Sequence, residues 1–239
     1  AVATNAHGKS CGLHGAIRKS VKEILLFHST NGWLKLSEKS NKEIFDLTIG
    51  GLGLTGIIVN IKLDLSKFNS NKFDTYINKV NSVDETISIL KDNSINENYI
   101  YSWNRADSFK NFGKGFVFEN KFKSNENNLT KISTKENSLI KLNKLNPINF
   151  WNPFTIKLAN FSFQFLNSLR EKKSEEDFSK VIFPFLGKEN YFYFFGKNGF
   201  IESQLLIDKN NLNEFLDEFK FLFKKMLPII TLFSIKNMS

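Results

Sequence analysis

The run GGLGLTGIIVNIKLDL, Gly50–Leu65, is a glycine-rich loop that empties into a strand. That order decides the fold class. A phosphate-cradling loop closes on Lys-Ser or Lys-Thr and opens a helix. This loop closes on Thr55-Gly56 instead, and an alternating segment follows. Val59, Ile61, Leu63 and Leu65 fall on one face of that segment, and Asn60, Lys62 and Asp64 on the other, the period of a strand. The expectation is therefore α+β rather than a repeating β-α-β chain.

Working toward the amino end, VKEILLF (Val21–Phe27) reads as a strand and WLKLS (Trp33–Ser37) as its partner. Asn31-Gly32 between them is a tight-turn pair, so the two form a hairpin. NKEIFDLTI (Asn41–Ile49) reads as a short helix with Ile44, Phe45 and Leu47 turned inward.

Toward the carboxyl end, Ser82 and Glu85 have capping-box spacing and start a helix in SVDETISILKD. NYIYSW (Asn98–Trp103) and GFVFEN (Gly115–Asn120) read as strands, and residues 121–150 as a polar loop. Pro153–Lys173 is an aromatic segment that fits either helix or strand. NYFYFFGKNGFIESQLLI (Asn190–Ile207) reads as a second hairpin around Gly-Lys-Asn-Gly. Phe215, Leu216, Phe219, Leu222, Phe223 and Met226 recur at helical spacing. IITLFSIKNMS (Ile229–Ser239) reads as a last strand.

Composition bounds the function. The chain has 239 residues, 41% hydrophobic and 14% aromatic, with 26 Phe, enough for one large domain or two small ones with a real core. The formal charge is +9. Its lysines are scattered among acids, as in REKKSEEDF (Arg170–Phe178), so the clustered footprint of a nucleic-acid binder is missing. A positive surface suits an anionic substrate or an anionic membrane face. The single cysteine, Cys11, forms no internal disulfide, and a reducing, cytoplasmic setting is expected. No apolar run reaches the ~20 residues of a spanning helix. The opening AVATNAHGK has neither an initiator Met nor a signal-peptide layout, so the sequence reads as a central piece of a longer protein.

The chemistry concentrates in NAHGKSCGLHGAI (Asn5–Ile17), thirteen residues holding two of the three His and three of the 13 Gly. Cys-x-x-Cys, His-Glu-x-x-His and Gly-x-Ser-x-Gly patterns are absent, and His7 and His14 lack the spacing of a familiar metal pair, so no metal is expected. Gly8, Gly12 and Gly15 permit positive φ and expose N–H groups. His7 and Lys9 flank Gly8 and offer one neutral donor and one cation. A surface turn with incidental His and Lys is the alternative on physical grounds alone.

The HGK run, the hairpin, the helix and GGLGLTGII, in this order, resemble the FAD-binding region of the vanillyl-alcohol-oxidase-type flavoproteins. Within that family the chain looks most like the decaprenylphosphoryl-β-D-ribose oxidases, the flavin subunits of an epimerase that makes arabinose donors for cell-wall arabinan. Ser10 and Leu52 stand where that group carries Asn. The likeness continues through YSWNRAD, GKGFVF, PFTIKLAN, FPFLG and GFIESQLLI.

The resemblance implies the carboxyl-terminal part of a PCMH-type FAD-binding domain over residues 1–68. A substrate or cap domain follows over residues 69–239, an antiparallel sheet flanked by helices and cut short at its end. Thr4, Asn5, Ala6 and His7 would run along the flavin. Gly8 would let the chain pass the ring, and Ile58 would contact the cofactor. Lys9 and Lys236 would reach the substrate, and with His7 they form the implied catalytic set. Glu202 and Gln204 share a strand face with Phe200 and Leu206, and stand where the family carries two Gln over the ring. Ile182 and Phe185 would form an apolar wall.

The implied activity is FAD-dependent oxidation of a secondary hydroxyl on a polyprenyl-phosphate pentose. A short-chain reductase would be the epimerase partner, and a peripheral contact with the inner membrane would reach the lipid. Oxidation of alditols or aldonolactones by oxygen is the alternative enzyme. A non-catalytic fragment unable to hold FAD alone is the alternative outside catalysis.

Overall fold

The computed structural model describes residues 1–9, 14–65, 70–92, 98–123, 149–185 and 190–237. Ser10, Cys11, Gly12 and most of the expected polar loop lie outside the described residues. Two antiparallel sheets with helices make the architecture α+β.

The first sheet has order β2-β1-β3, from β1 (Val21–His28), β2 (Gly32–Ser37) and β3 (Ile57–Leu63). Helix α1 (Lys42–Thr48) closes one face, where Val2, Val21, Ile24, Leu26, Leu36, Phe45 and Ile49 form a buried core. The hairpin and the helix follow the expected layout. Leu47 does not: it is 59% exposed, while Ile44 and Phe45 pack inward.

The expected face of β3 also changes. Leu25 pairs with Asn60 but Leu26 pairs with Ile58, so the register slips at Val59. A slip of one residue sends the next side chain to the opposite face. Ile61 and Ile58 pack on the core, and Val59, Leu63 and Leu65 are exposed. Gly56, just before the slip, has φ +140°, and a Cβ there would lie 2.6 Å from the Phe27 carbonyl oxygen. The chain can approach β1 this closely only as glycine.

The second sheet has order β5-β6-β4-β7, from β4 (Lys72–Val80), β5 (Asn98–Asn104), β6 (Gly115–Phe122) and β7 (Lys173–Asp177). Helix α2 (Val83–Asp92) covers one face, where its Leu90 packs with Val80, Ile100 and Val117. Its start is the expected cap: the Glu85 N–H donates to Ser82 Oγ at 3.1 Å. Helix α3 (Pro153–Ser168) covers the other face, with Phe163 4.3 Å from Trp103, ring to ring, above Tyr101, Phe116 and Phe118. Coverage on both faces explains why β6 is buried from Gly115 through Asn120. An Asn152 capping box and Pro153 in the first turn settle Pro153–Ser168 as helix.

Strands β4 and β7 are absent from the sequence reading. Strand β7 lies inside REKKSEEDF, where charge masks the period. It is an edge strand, and charge is what keeps such an edge soluble. Glu175 bonds Lys72 at 2.5 Å and also Lys123, which hold its carboxyl down at about 2.

The second expected hairpin is not formed. Helix α4 (Phe178–Ile182) is followed by a short helix α5 (Asn190–Tyr193), a 3-10 turn at Gly196–Asn198 and a run without regular secondary structure. Aromatic packing overrides strand propensity here. Trp151 gathers Phe150, Tyr191, Phe194 and Phe195 around it with ring centroids 5.5–6.2 Å away.

Helix α6 (Leu212–Met226) buries Leu216 and Phe223, while Leu222 and Met226 are exposed. The expected last strand makes one bridge, Asn104 to Phe233. Ser102 Oγ then takes the place of a backbone partner, accepting from the Ile235 N–H at 2.8 Å.

Candidate functional site

The glycine loop and the first residues of the chain lie side by side. The Gly50 N–H donates to the Val2 carbonyl at 3.0 Å, and the Leu52 N–H to that of Ala3 at 2.8 Å. Thr4 Oγ1 donates to the Ala1 carbonyl. Asn5 turns through a left-handed conformation, and its Oδ1 accepts from the Arg18 N–H. The Ala6 carbonyl accepts from Ile17, and His7 pairs with Ala16 in an isolated antiparallel bridge. Residues 1–7 are thereby fixed against the first sheet. Gly8 then leaves it, with open space where a Cβ would be. Ile58 is half-buried on the core of that sheet.

Beyond Gly8 the segment reaches the second half of the molecule. Lys9 Nζ donates to the Val181 carbonyl and lies 3.8 Å from the centroid of the Tyr101 ring. Tyr101 stacks on Phe118, on the face of the second sheet that α3 covers. Burial lowers the Lys9 ammonium to about 7, and the positive charge of Lys236 pushes the same way. Burial also raises the Tyr101 hydroxyl to about 12.

Lys236 lies three residues beyond the Asn104–Phe233 bridge. Residues 231–237 alternate between half-buried and exposed. Ile235 packs with the α2-side cluster, while Lys236 is exposed and near enough to Lys9 for its charge to act on that amine.

His7 Nε2 meets Gln204 Oε1 at 3.0 Å, and Gln204 Nε2 donates to Glu202 Oε1 at 2.8 Å. The period-two pairing of Glu202 and Gln204 survives although the hairpin does not form. His7 Nδ1 is buried and has no partner among the described residues; Trp151 Nε1 is alike. Ile182 follows the carbonyl that Lys9 binds. Phe185 stacks on Tyr191 with centroids 5.1 Å apart.

His7, Gln204 and Glu202 are linked by hydrogen bonds, and Lys9, two positions on, meets the Val181 carbonyl and the Tyr101 ring with the charge of Lys236 acting on it. Ile182 adjoins this set through Val181 alone, Phe185 packs on Tyr191 and Phe192, and Ile58 faces a hydrophobic core. A hollow of about 580 Å³ elsewhere, lined by Arg18, Lys19, Lys22, Glu23, Glu38 and Lys39, contains none of them. It gathers four cations and two carboxylates, of which Arg18 and Glu38 pair at 2.5 Å. Two members were missing from the sequence reading: Val181, which acts through its backbone, and Tyr101, whose place in an alternating aromatic strand was the only signal.

Among the described residues no group of His, Cys, Asp and Glu is placed to hold a metal ion, and no helix is long and apolar enough to cross a membrane. No protein-family model and no curated protein matches the chain.

Proposed function

We propose that the convergence around His7 and Lys9 is the reactive end of a flavin site, in an FAD-dependent oxidoreductase that oxidises a secondary hydroxyl of a sugar. The observation that carries this reading is the meeting of His7 with Gln204 across 197 positions of sequence, beside a lysine whose Nζ lies 3.8 Å from the centre of the Tyr101 ring. In this reading residues 1–68 are the carboxyl-terminal part of a PCMH-type domain, and residues 69–239 supply the substrate side.

The residues fit the ring end of the cofactor. An open Gly8 is what a flat ring would use, and His7 Nδ1, without a partner among the described residues, is left for a hydrogen-bonding group of the substrate. Thr4, Asn5, Ala6, His7 and Gly8 would hold the ring, with Ile58 behind them. FAD bound there would supply the two-electron acceptor for the hydride of the alcohol carbon.

The chain's own residues supply the rest. An amine titrating at about 7 is free in a large share of molecules at neutral pH, so Lys9 Nζ can take the hydroxyl proton as the carbonyl forms. Lys236 keeps that amine poised and adds the positive field that a phosphate-bearing substrate needs. Ile182 and Phe185 give an apolar wall for a prenyl chain. The substrate proposed is a polyprenyl-phosphate pentose, reached at a membrane surface, with a short-chain reductase completing an epimerisation.

The test is anaerobic mixing of the FAD-loaded chain with a prenyl-phosphate pentose. Bleaching of the yellow flavin absorbance, slowed at least tenfold in Lys9→Met, is expected. Bleaching by free alditols alone, reversed by air, would replace this substrate with a soluble polyol. A flavin that stays oxidised with both would overturn the reading.

A further inference from the structure

Glu202 touches neither His7 nor Lys9 among the described contacts; it reaches His7 through Gln204, and Glu202 and Gln204 are both exposed. A carboxylate only accepts hydrogen bonds, whereas an amide carries a donor end and an acceptor end. With Glu202 Oε1 2.8 Å from the Gln204 side chain, the amide must turn its NH₂ toward Glu202. Its oxygen therefore faces His7 Nε2, 3.0 Å away. That oxygen cannot donate, so the proton of a neutral imidazole is required on Nε2. Nδ1, buried and unpartnered, is left with its lone pair.

We infer that Glu202 is a positioning residue whose carboxylate fixes the hydrogen-bond polarity of Gln204, and through it the tautomer of His7, so that Nδ1 presents an acceptor to the ligand. This rests on the proposed site for its ligand, but the polarity lock itself needs no flavin.

The consequence is selectivity for a ligand that donates at this point. A hydroxyl beside the reacting carbon, one whose proton Lys9 does not take, can donate to Nδ1; an ether or deoxy position there cannot. The lock thus favours a polyol with a free hydroxyl next to the one oxidised. A glutamine at 202 could accept or donate, both amides could flip together, and His7 could then carry its proton on either nitrogen.

Nitrogen-15 NMR of the His7 ring tests this in the flavin-free chain, at a pH where the imidazole is neutral. The expected wild-type result is one tautomer, with the proton on Nε2. Glu202→Gln should add a second set of ring signals from the Nδ1–H form. The exchanged pair Glu202→Gln with Gln204→Glu should restore the single form, because a carboxylate at 204 also accepts only. A wild-type ring protonated on Nδ1, a Glu202→Gln spectrum like wild type, or failure of the exchanged pair to restore it would each overturn the lock. Failure of flavin reduction with the lock intact would instead count against the proposed function alone.

Discussion

His7 Nε2 and Gln204 Oε1 stand 3.0 Å apart, although 197 positions of sequence separate the two residues. His7 is held by an antiparallel bridge to Ala16, and Gln204 lies in a run without regular secondary structure. The contact therefore ties the amino-terminal segment to that run, and Lys9 makes a second tie through the Val181 carbonyl.

The titration of Lys9 is the first consequence. Burial and Lys236 lower it to about 7 from an ordinary 10.5. Removing the repulsion in Lys236→Met should raise it toward the ordinary range, read as the pH dependence of Lys9 acylation rate. The folded state holds this proton more weakly than the unfolded state, so stability rises with pH between about 7 and 10.5. Lys9→Met should accordingly stabilise the fold most below pH 7, with the gain fading as pH climbs through that window. A gain that grows with pH would contradict the assignment.

The Arg105–Asp107 pair should be costly to break. Its nitrogen and oxygen are 2.7 Å apart, with side chains 8% and 0% exposed. Arg105 also donates to Gln164 at 2.6 Å, and Asn160 to Asp107 at 3.2 Å, so the pair pins α3 to the end of β5. Asp107→Ala strands a buried cation and should lower stability by about 3–5 kcal/mol in urea unfolding. Replacing both residues with Leu or Met should cost much less.

Backbone conformation in the glycine loop gives opposite signs at two nearby positions. Leu52 has φ 53°, where a side chain is strained by roughly 1–2 kcal/mol, and is largely exposed. Leu52→Gly should raise stability by about 0.5–1 kcal/mol once the looser unfolded chain is counted. Gly56→Ala should lower it by about 1–3 kcal/mol, since its Cβ has no room beside Phe27. Equal effects at the two sites would contradict this reading of the loop.

Local rules were enough where the signal was local. Asn31-Gly32 gave the first hairpin, and Ser82 with Glu85 gave the start of α2. Period two placed Glu202 beside Gln204. The rest depended on partners distant in sequence. Strand β7 carries no apolar alternation because it is an edge, recognisable only once β4 lies beside it. The face of β3 reversed because a bulge at Val59 is a property of the pairing, not of either strand. Asn190–Ile207 has the composition of a hairpin, but Trp151 draws its rings into helical turns. Tyr101 joined the site because Lys9, from the amino-terminal segment, lies over its ring.

The account turns on whether the His7–Lys9 segment holds a flavin. Titrating the purified chain with FAD and following flavin fluorescence tests that most directly. Saturable binding of one FAD per chain is expected, weakened at least tenfold in His7→Ala while the folded far-ultraviolet signal is kept. Absence of saturable binding, or equal binding by His7→Ala, would contradict it.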